Sequence, residues 1–162
     1  MYSKIAYRWR HEREAALNDL NGRLADRTAS EKRTLVERLN KEADTIDARI
    51  KEVAAMEEKG FWLCENDHEE PISTAFAGIE LEISRDCSTC HKPMKLVRRD
   101  LMSGQEKYES DKERGEAEKI VASKREQAKG ETENAEGSDQ TAKFFRDQAA
   151  KARSTAEKIR SL

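Results

Sequence analysis

The cysteines and prolines of this 162-residue chain are confined to its middle. All three cysteines and both prolines lie within residues 60–103, and the flanks 1–59 and 104–162 contain neither. A long segment without proline can continue as one helix, whereas closely spaced cysteines indicate metal ligation, redox chemistry or cross-linking. The sequence therefore predicts a mainly α-helical protein in which two long arms flank a small module of different chemistry.

The composition limits the core that the chain can build. Charged residues make up 40% and hydrophobic residues 36%, against about 25% and 45–50% in an average domain. A large α/β enzyme is not expected from such a chain. No apolar run approaches the ~18 residues of a membrane span. Charged residues also occupy the first twenty positions, where a signal peptide needs an apolar segment. We expect a soluble, cytoplasmic protein that has no membrane contact.

The first arm, residues 1–59, carries apolar residues at helical spacing. Steps of three and four residues keep them on one side of a helix, which is the pattern of a coiled-coil seam. The seam predicts binding to a protein partner or to a second copy. Its members are Leu17, Leu20, Leu24, Leu35, Leu39, Ala43, Ile46, Ile50 and Val53, of which Leu35, Leu39, Ile46, Ile50 and Val53 are the candidate partner-binding residues.

Polar residues interrupt this arm near residues 22–29. Thr28 with Glu31 three positions later has the form of a capping box, which marks the start of a helix. The pattern favours two helices, 4–21 and 30–59, joined as a hairpin with a polar tip. One unbroken helix is the alternative, because an internal glycine costs only about 1 kcal/mol.

The second arm, residues 104–162, begins after another capping-box pattern, Ser103 with Glu106. Small residues then recur every seven positions, but between Lys124 and Gln140 the other seam positions are polar and can bury little area. The arm is either a long charged helix, partly disordered, or a helix that orders on a partner. Its heptad positions are Val121, Ala128, Ala135, Ala142, Ala149 and Ala156, and Phe145, Ile159 and Leu162 could join the seam.

The middle module, residues 60–103, contains four soft metal ligands in two pairs: Cys64 with His68, and Cys87 with Cys90. Zn²⁺ binds four nitrogen or sulfur ligands in a tetrahedron, and each short spacer lets one turn present two of them. Strands are predicted at Phe61–Leu63, at Ile79–Ile83 and after the second turn at Met94 and Leu96. The sequence thus predicts a zinc-ribbon-like zinc finger in which structural zinc supplies folding energy that a small core cannot.

Other interpretations of the module are weaker. His91 could replace His68, but ligands on adjacent residues rarely converge on one metal. A redox Cys-x-x-Cys pair lacks a surrounding βαβ pattern, and an odd cysteine count in a cytoplasmic protein disfavours a disulfide. A catalytic zinc would need an open position and a general base. The four-ligand count and the lack of known catalytic motifs predict that the chain is not an enzyme.

A short basic segment follows the second turn. Its cations, Lys92, Lys95, Arg98 and Arg99, could contact phosphates, and Trp62 could stack on an unpaired base. The rest of the module is acidic, so direct nucleic-acid binding is an alternative that is not favoured.

The order of these features over roughly residues 20–100 resembles the DksA/TraR family of bacterial and phage-type transcription regulators. The resemblance implies a helical hairpin that enters the secondary channel of RNA polymerase, with Asp26 at its tip, and a zinc finger behind it. Family members usually have Cys-x-x-Cys in the first turn, where this chain has Cys64, Asp67 and then His68. The matching segments are Leu24-Ala25-Asp26-Arg27, Ile46 to Met56, Gly60-Phe61-Trp62-Leu63-Cys64-Glu65, Glu70-Pro71-Ile72 and Cys87-Ser88-Thr89-Cys90.

Overall fold

The computed structural model describes residues 2–72 and 85–161. In chain order the elements are α1 (Tyr2–Lys59), β1 (Phe61–Cys64), β2 (Glu69–Pro71), β3 (Arg85–Asp86), β4 (Pro93–Val97) and α2 (Gly104–Arg160). They form two compact units, the first made of Met1–Lys41 with Lys124–Leu162 and the second of Glu42–Ser123. The predicted strand Ile79–Ile83 and the seam residue Leu162 lie outside the described residues.

Helix α1 is continuous from Tyr2 to Lys59, so the expected hairpin with a tip near 22–29 is wrong. The Thr28 hydroxyl does not cap a new helix but donates to the carbonyl of Leu24, 3.0 Å away, as hydroxyls inside helices do. Glu31 instead pairs with Arg27, one turn earlier. The chain takes the alternative of a single helix, because one internal glycine is inexpensive when the surrounding turns pack.

The first unit is built from small residues that meet at a close helix-helix seam. Three ion pairs fix the antiparallel direction: Asp19 with Arg153, Asp26 with Arg146, and Lys32 with Glu131. Small side chains let two helix backbones approach closely. Dispersion contacts between the close backbones then stabilise the pair, as packed leucine side chains do in other helix pairs. Buried small residues recur every seven positions, and they are Ala15, Gly22 and Ala29 on α1 and Ala128, Ala135, Ala142, Ala149 and Ala156 on α2.

Leu17, Leu20 and Leu24 were expected in this seam, and that expectation is wrong. Their exposed fractions are 54%, 46% and 54%. Each lies two residues from Ala15 or Gly22, about 200° around the helix, and therefore on the opposite face. The small residues occupy the seam because the close approach of the two backbones leaves no room for leucine.

In the second unit, α1 ends at a glycine that the geometry requires. Gly60 has φ of +92°, and its N–H donates to the carbonyl of Met56, 2.7 Å away, which is the hydrogen bond of a left-handed helix cap. A Cβ atom on Gly60 would lie 2.6 Å from Cδ1 of Ile72. The cap turns the chain directly into β1.

The four strands form one antiparallel sheet in the order β2-β1-β4-β3. Trp62 on β1 lies opposite Glu70 on β2 and Leu96 on β4. The strands predicted at Phe61–Leu63 and at Met94 and Leu96 are confirmed as β1 and β4. Two of the three pairings, β1 with β2 and β3 with β4, are hairpins whose turns hold the candidate ligands.

The start of α2 has the predicted capping box. Ser103 Oγ accepts a hydrogen bond from the Glu106 N–H at 3.2 Å, and Glu106 Oε2 accepts one from the Ser103 N–H at 2.7 Å. Within the described residues, neither long helix has an apolar stretch sufficient to cross a membrane.

Candidate metal centre

Four potential metal ligands come from the two hairpin turns of the sheet. Cys64 is the last residue of β1 and His68 directly precedes β2, while Cys87 directly follows β3 and Cys90 lies three residues before β4. Each hairpin therefore contributes two ligands. Pairing of β1 with β4, with Cys64 opposite Met94, brings the two turns to the same end of the sheet.

Backbone hydrogen bonds tighten both turns. In the first, the Asp67 N–H donates to the Cys64 carbonyl at 3.0 Å, and in the second the His91 N–H donates to the Cys87 carbonyl at 2.9 Å. Asp67 and His91 both have positive φ, 59° and 57°. Asp and His are among the residues found most often in this left-handed region, so the residue types suit the turns.

Two of the distances between the ligand atoms are close to those of a tetrahedral zinc site. Zn–S bonds of about 2.3 Å hold two sulfurs about 3.8 Å apart, and with Zn–N bonds of about 2.0 Å they hold sulfur and nitrogen about 3.5 Å apart. The Sγ atoms of Cys64 and Cys90 are 3.6 Å apart, and Sγ of Cys87 lies 3.4 Å from Nδ1 of His68. All four ligand atoms lie within 4.8 Å of one another. The three cysteines are free thiols, so the cluster can hold a metal ion.

Two of the candidate ligands, Cys64 and Cys87, belong to the module's core. The buried cluster beside the turns consists of Trp62, Cys64, Cys87 and Met94, and Cys87 is completely buried. A core of this size buries too little apolar area to hold a small module folded without a metal or cross-link. Burial of Cys64 and Cys87, two of the four candidate ligands, is therefore consistent with a structural rather than a surface metal.

The second turn favours the thiolate form that binds metal. Burial opposes ionisation of Cys87, but hydrogen bonds from the Cys90 and Thr89 N–H groups outweigh it and lower the pKa of Cys87. The Lys92 N–H lowers the pKa of Cys90 in the same way, against a smaller effect of burial. Burial raises the pKa of Cys64. The backbone around Cys87 and Cys90 thus stabilises the thiolate form of two of the three cysteines.

A carboxylate next to the first turn holds the second turn in place. Glu70 Oε1 accepts hydrogen bonds from the Ser88 N–H at 2.8 Å and the Ser88 hydroxyl at 2.7 Å, and Oε2 pairs with Arg85 at 2.7 Å. The Ser88 N–H, followed by the Ser88 hydroxyl, is the main reason that the pKa of Glu70 is lowered. Glu70 therefore connects β2 to the residue between Cys87 and Cys90. Sequence patterns alone gave no sign of this role.

The alternative ligand His91 lies outside the cluster, and the basic segment is engaged in ion pairs. His91 is not part of the cluster of potential ligands found among the described residues. The four cations of the basic segment are each paired with a carboxylate: Lys92 with Glu65, Lys95 with Glu106, Arg98 with Asp100, and Arg99 with Asp111.

The predicted partner-binding residues divide between the two units. Leu35 is half-buried and Leu39 is buried in the first unit. Asp26 lies inside α1, and its carboxylate pairs with Arg146 at 3.0 Å, so it is not at a tip. Ile46, Ile50 and Val53 are half-buried in the second unit, where they line a cavity of about 770 Å³ together with Leu96 and Met102.

Sequence reasoning missed a buried carboxylate in the second unit. Glu57 is 5% exposed and accepts hydrogen bonds from the Ser110 hydroxyl and from Arg114, while Arg99 lies 3.5 Å away. The position of Glu57 in the sequence could have identified it, because it lies seven residues after Ile50 and fourteen after Ala43, in line with the apolar residues of the seam. A charged residue at a seam position indicates a buried ion pair.

Comparison with known proteins gives no match: no protein-family model, curated protein or solved structure is similar to this chain. Function is therefore inferred from the chain's own residues.

Proposed function

We propose that this chain is a non-enzymatic, zinc-stabilised helical protein that acts as an adaptor or regulator by binding other proteins. The observation that carries the proposal is the set of ligand distances, 3.6 Å between two sulfurs and 3.4 Å between sulfur and imidazole nitrogen, since a tetrahedral zinc site requires nearly these values. Soft thiolate and imidazole ligands suit zinc better than magnesium or calcium. Three reduced thiols also suit the reducing cytoplasm.

A structural role for the metal is supported by the surroundings of the cluster. Four protein ligands close a zinc tetrahedron, whereas a catalytic zinc keeps one position for water. The nearby carboxylates that could act as a base are engaged: Glu65 pairs with Lys92, Glu69 with Arg49, and Glu70 with Ser88 and Arg85. We infer that the module is a zinc ribbon, in which two hairpins joined by one metal form a rigid unit.

The two helices of the first unit form, in this proposal, an antiparallel coiled coil with a small-residue seam. The seven-residue spacing of buried small residues on both helices is the repeat that such a structure needs. Ion pairs such as Asp26 with Arg146 flank the seam and specify its direction. A rigid helical arm joined to a metal-stabilised module is an architecture suited to presenting surfaces rather than to chemistry.

Protein binding is assigned to the apolar cavity of the second unit. Its wall includes Ile46, Ile50 and Val53, and its size lies within the range of clefts that accept apolar groups. We expect Ile50→Asp to weaken binding of a protein partner to this cavity, whereas Lys51→Asp on the exposed side of the same helix has little effect. Pull-down with each variant, with helicity as the control for folding, compares the two.

The two alternative functions have less support. The polymerase-binding alternative needs a hairpin tip that presents Asp26, whereas Asp26 is ion-paired inside a continuous helix. Direct nucleic-acid binding needs free cations, whereas all four of the basic segment are paired with carboxylates. Neither alternative gains a specific observation in its favour.

Metal content of the purified chain tests the proposal. We expect one zinc per chain, lost in His68→Ala and Cys87→Ser together with the ellipticity of the sheet module. His91→Ala is the matched control, since it removes a neighbouring imidazole outside the cluster and is expected to retain the zinc. A wild-type protein without zinc after purification under reducing conditions, or equal zinc retention by His68→Ala and His91→Ala, would refute the assignment.

A further inference from the structure

Helix α1 has a second apolar face opposite its seam. Besides Tyr7, five large apolar residues of its first half are exposed, with exposed fractions between 46% and 62%. Successive residues turn by 100° and rise by 1.5 Å, so these side chains follow one side of the helix for about 29 Å. We call this surface the outer face, and its apolar residues are Ile5, Trp9, Leu17, Leu20 and Leu24.

Three exposed arginines lie on the same side of the helix as the apolar residues of the outer face. Arg10 lies seven residues before Leu17, and Arg13 lies seven before Leu20, so each projects in line with a leucine. Arg23 follows Leu20 by three residues. Arg10, Arg13 and Arg23 are exposed, and no hydrogen bond or ion pair joins them to any residue whose side chain the structure describes, within 4–72 and 85–161.

The carboxylates in this part of the helix are too few to balance them. Residues 2–27 contain six lysines and arginines and four acidic residues. Three of the four carboxylates pair with an arginine within 4 Å, and the fourth, that of Glu14, pairs with the His11 imidazole, which is charged only when protonated. The outer face is therefore an apolar stripe that carries uncompensated positive charge. The four pairs are Glu12 with Arg8, Glu14 with His11, Asp19 with Arg153 and Asp26 with Arg146.

We propose that the outer face binds the surface of an anionic lipid bilayer, with α1 lying in the plane of the interface. Leucine, isoleucine and tryptophan beside arginine are the composition of interfacial helices, which bury the apolar side and leave cations at the headgroups. Arginine stems also extend along apolar surface while their guanidinium groups stay hydrated. The sequence-based expectation of no membrane contact rested on the lack of a spanning segment, which in-plane binding does not need.

Charge argues against a second copy as the occupant. Pairing of two outer faces would bring together six free arginines against only two carboxylates that lack a cationic partner, the Glu14 of each copy, and like charges in contact are destabilising. Anionic headgroups provide the missing negative charge, and each arginine near such a surface strengthens binding.

Sedimentation with vesicles tests the proposal on the full, zinc-loaded chain. The probes are vesicles of phosphatidylcholine alone and of an equimolar mixture of phosphatidylcholine and phosphatidylglycerol. We expect binding to the anionic vesicles that weakens with added salt, little binding to the neutral ones, and a blue shift of Trp9 emission that is missing in Trp9→Phe. Leu20→Glu and the double variant Arg13→Gln/Arg23→Gln are each expected to weaken binding by about tenfold or more.

Matched variants control for charge and hydrophobicity. Ile120→Glu makes the same kind of change at a residue of α2 that is 51% exposed. Lys112→Gln/Lys129→Gln removes two exposed positive charges elsewhere on α2. Both controls are expected to bind like the wild type, and zinc content and helicity are expected to stay unchanged in every variant.

Three outcomes would overturn the proposal. The first is no binding to anionic vesicles, and the second is equal loss of binding in the outer-face and control variants. The third is a concentration-dependent dimer in sedimentation equilibrium that Leu20→Glu abolishes, since the face would then be covered by a second copy. Loss of zinc binding alone leaves the proposal standing, because the outer face belongs to the first unit and contains no metal ligand.

Discussion

The Nδ1 atom of His68 lies 3.4 Å from the Sγ atom of Cys87, although the two residues belong to different hairpins. Nineteen positions separate them in the chain, and the twelve residues 73–84 that precede β3 lie outside the described part. The closeness of the two atoms is therefore set by pairing of β1 with β4 and by the contacts between the turns. The groups that hold the turns should influence metal affinity as strongly as some ligands do.

Glu70→Gln is expected to weaken zinc binding by about tenfold or more, which is the usual effect of removing a group that orients metal ligands. Glutamine loses the negative charge that Ser88 and Arg85 now stabilise, so the turn that carries Cys87 and Cys90 becomes less ordered. Competition with a chromophoric chelator measures the affinity. The control is Glu69→Gln, whose side chain pairs with Arg49 rather than with the second turn. Equal affinities for wild type and Glu70→Gln would exclude a positioning role.

Gly60→Ala is expected to destabilise the second unit by at least about 1 kcal/mol, because a residue with Cβ is strained at positive φ. The added Cβ would also lie 2.6 Å from Ile72 Cδ1 and 3.2 Å from Arg98 Cδ. Urea unfolding of the zinc-loaded protein measures the free energy of unfolding. Gly115→Ala, where no atom lies within 4 Å of the new Cβ, serves as the control and should instead stabilise α2. A neutral Gly60→Ala would contradict the cap geometry.

The small-residue seam predicts opposite effects at two facing positions. Gly22→Ala should stabilise the first unit by up to about 1 kcal/mol, because alanine favours helix and its Cβ would lie 3.6 Å from the Ala142 carbonyl oxygen, an ordinary contact. Ala142→Leu should destabilise it by about 1–3 kcal/mol, because Ala142 is fully buried and the seam has no space for leucine.

Thermal unfolding followed by circular dichroism checks both substitutions. Gly130→Ala gives the effect of helix propensity alone, since no atom lies within 4 Å of its Cβ position. If Ala142→Leu melts at or above the wild-type temperature, the two backbones are not as close as the seam requires.

Glu106 predicts a specific acid dependence. Hydrogen bonds from Lys95 and then Ser103 lower the pKa of Glu106 to about 2, against about 4.3 in an unfolded chain. Between these values the unfolded state binds more protons than the folded state, so the contribution of Glu106 is complete above about pH 4.3 and is lost as pH falls toward 2.

We therefore expect Glu106→Gln to be less stable than wild type at neutral pH and to lose less stability between about pH 4.3 and 2. Urea midpoints over this range, taken as differences from wild type, cancel the common effect of metal release. Glu113→Gln, on an exposed side of the same helix, should follow the wild-type slope. Parallel pH profiles for wild type and Glu106→Gln would contradict the prediction.

The parts of the fold that the sequence predicted well are those fixed by local pattern. The cluster of Cys64, His68, Cys87 and Cys90 was predicted from spacing, because a tight turn brings residues three or four positions apart close together, although His91 stayed an alternative to His68. The Ser103 and Glu106 capping box was readable for the same reason, since its hydrogen bonds join residues of one helical turn. The continuity of α1 was not readable, because Thr28 with Glu31 fits either a helix start or a helix interior.

Which apolar residues of α1 are buried could be decided only by the tertiary structure. Leu17, Leu20 and Leu24 and the series Ala15, Gly22 and Ala29 both have helical spacing, so the chain determines by itself that two such faces exist. Packing against the alanines of α2 selects the small-residue face, since dispersion contacts between close backbones need short side chains. The same long-range contacts place His68 rather than His91 in the cluster of potential metal ligands, and they bury Glu57 beside Arg114. Local sequence thus determined the helices, the turns and the types of potential ligand, whereas the distances between distant segments decided which faces are buried and which potential ligands lie together.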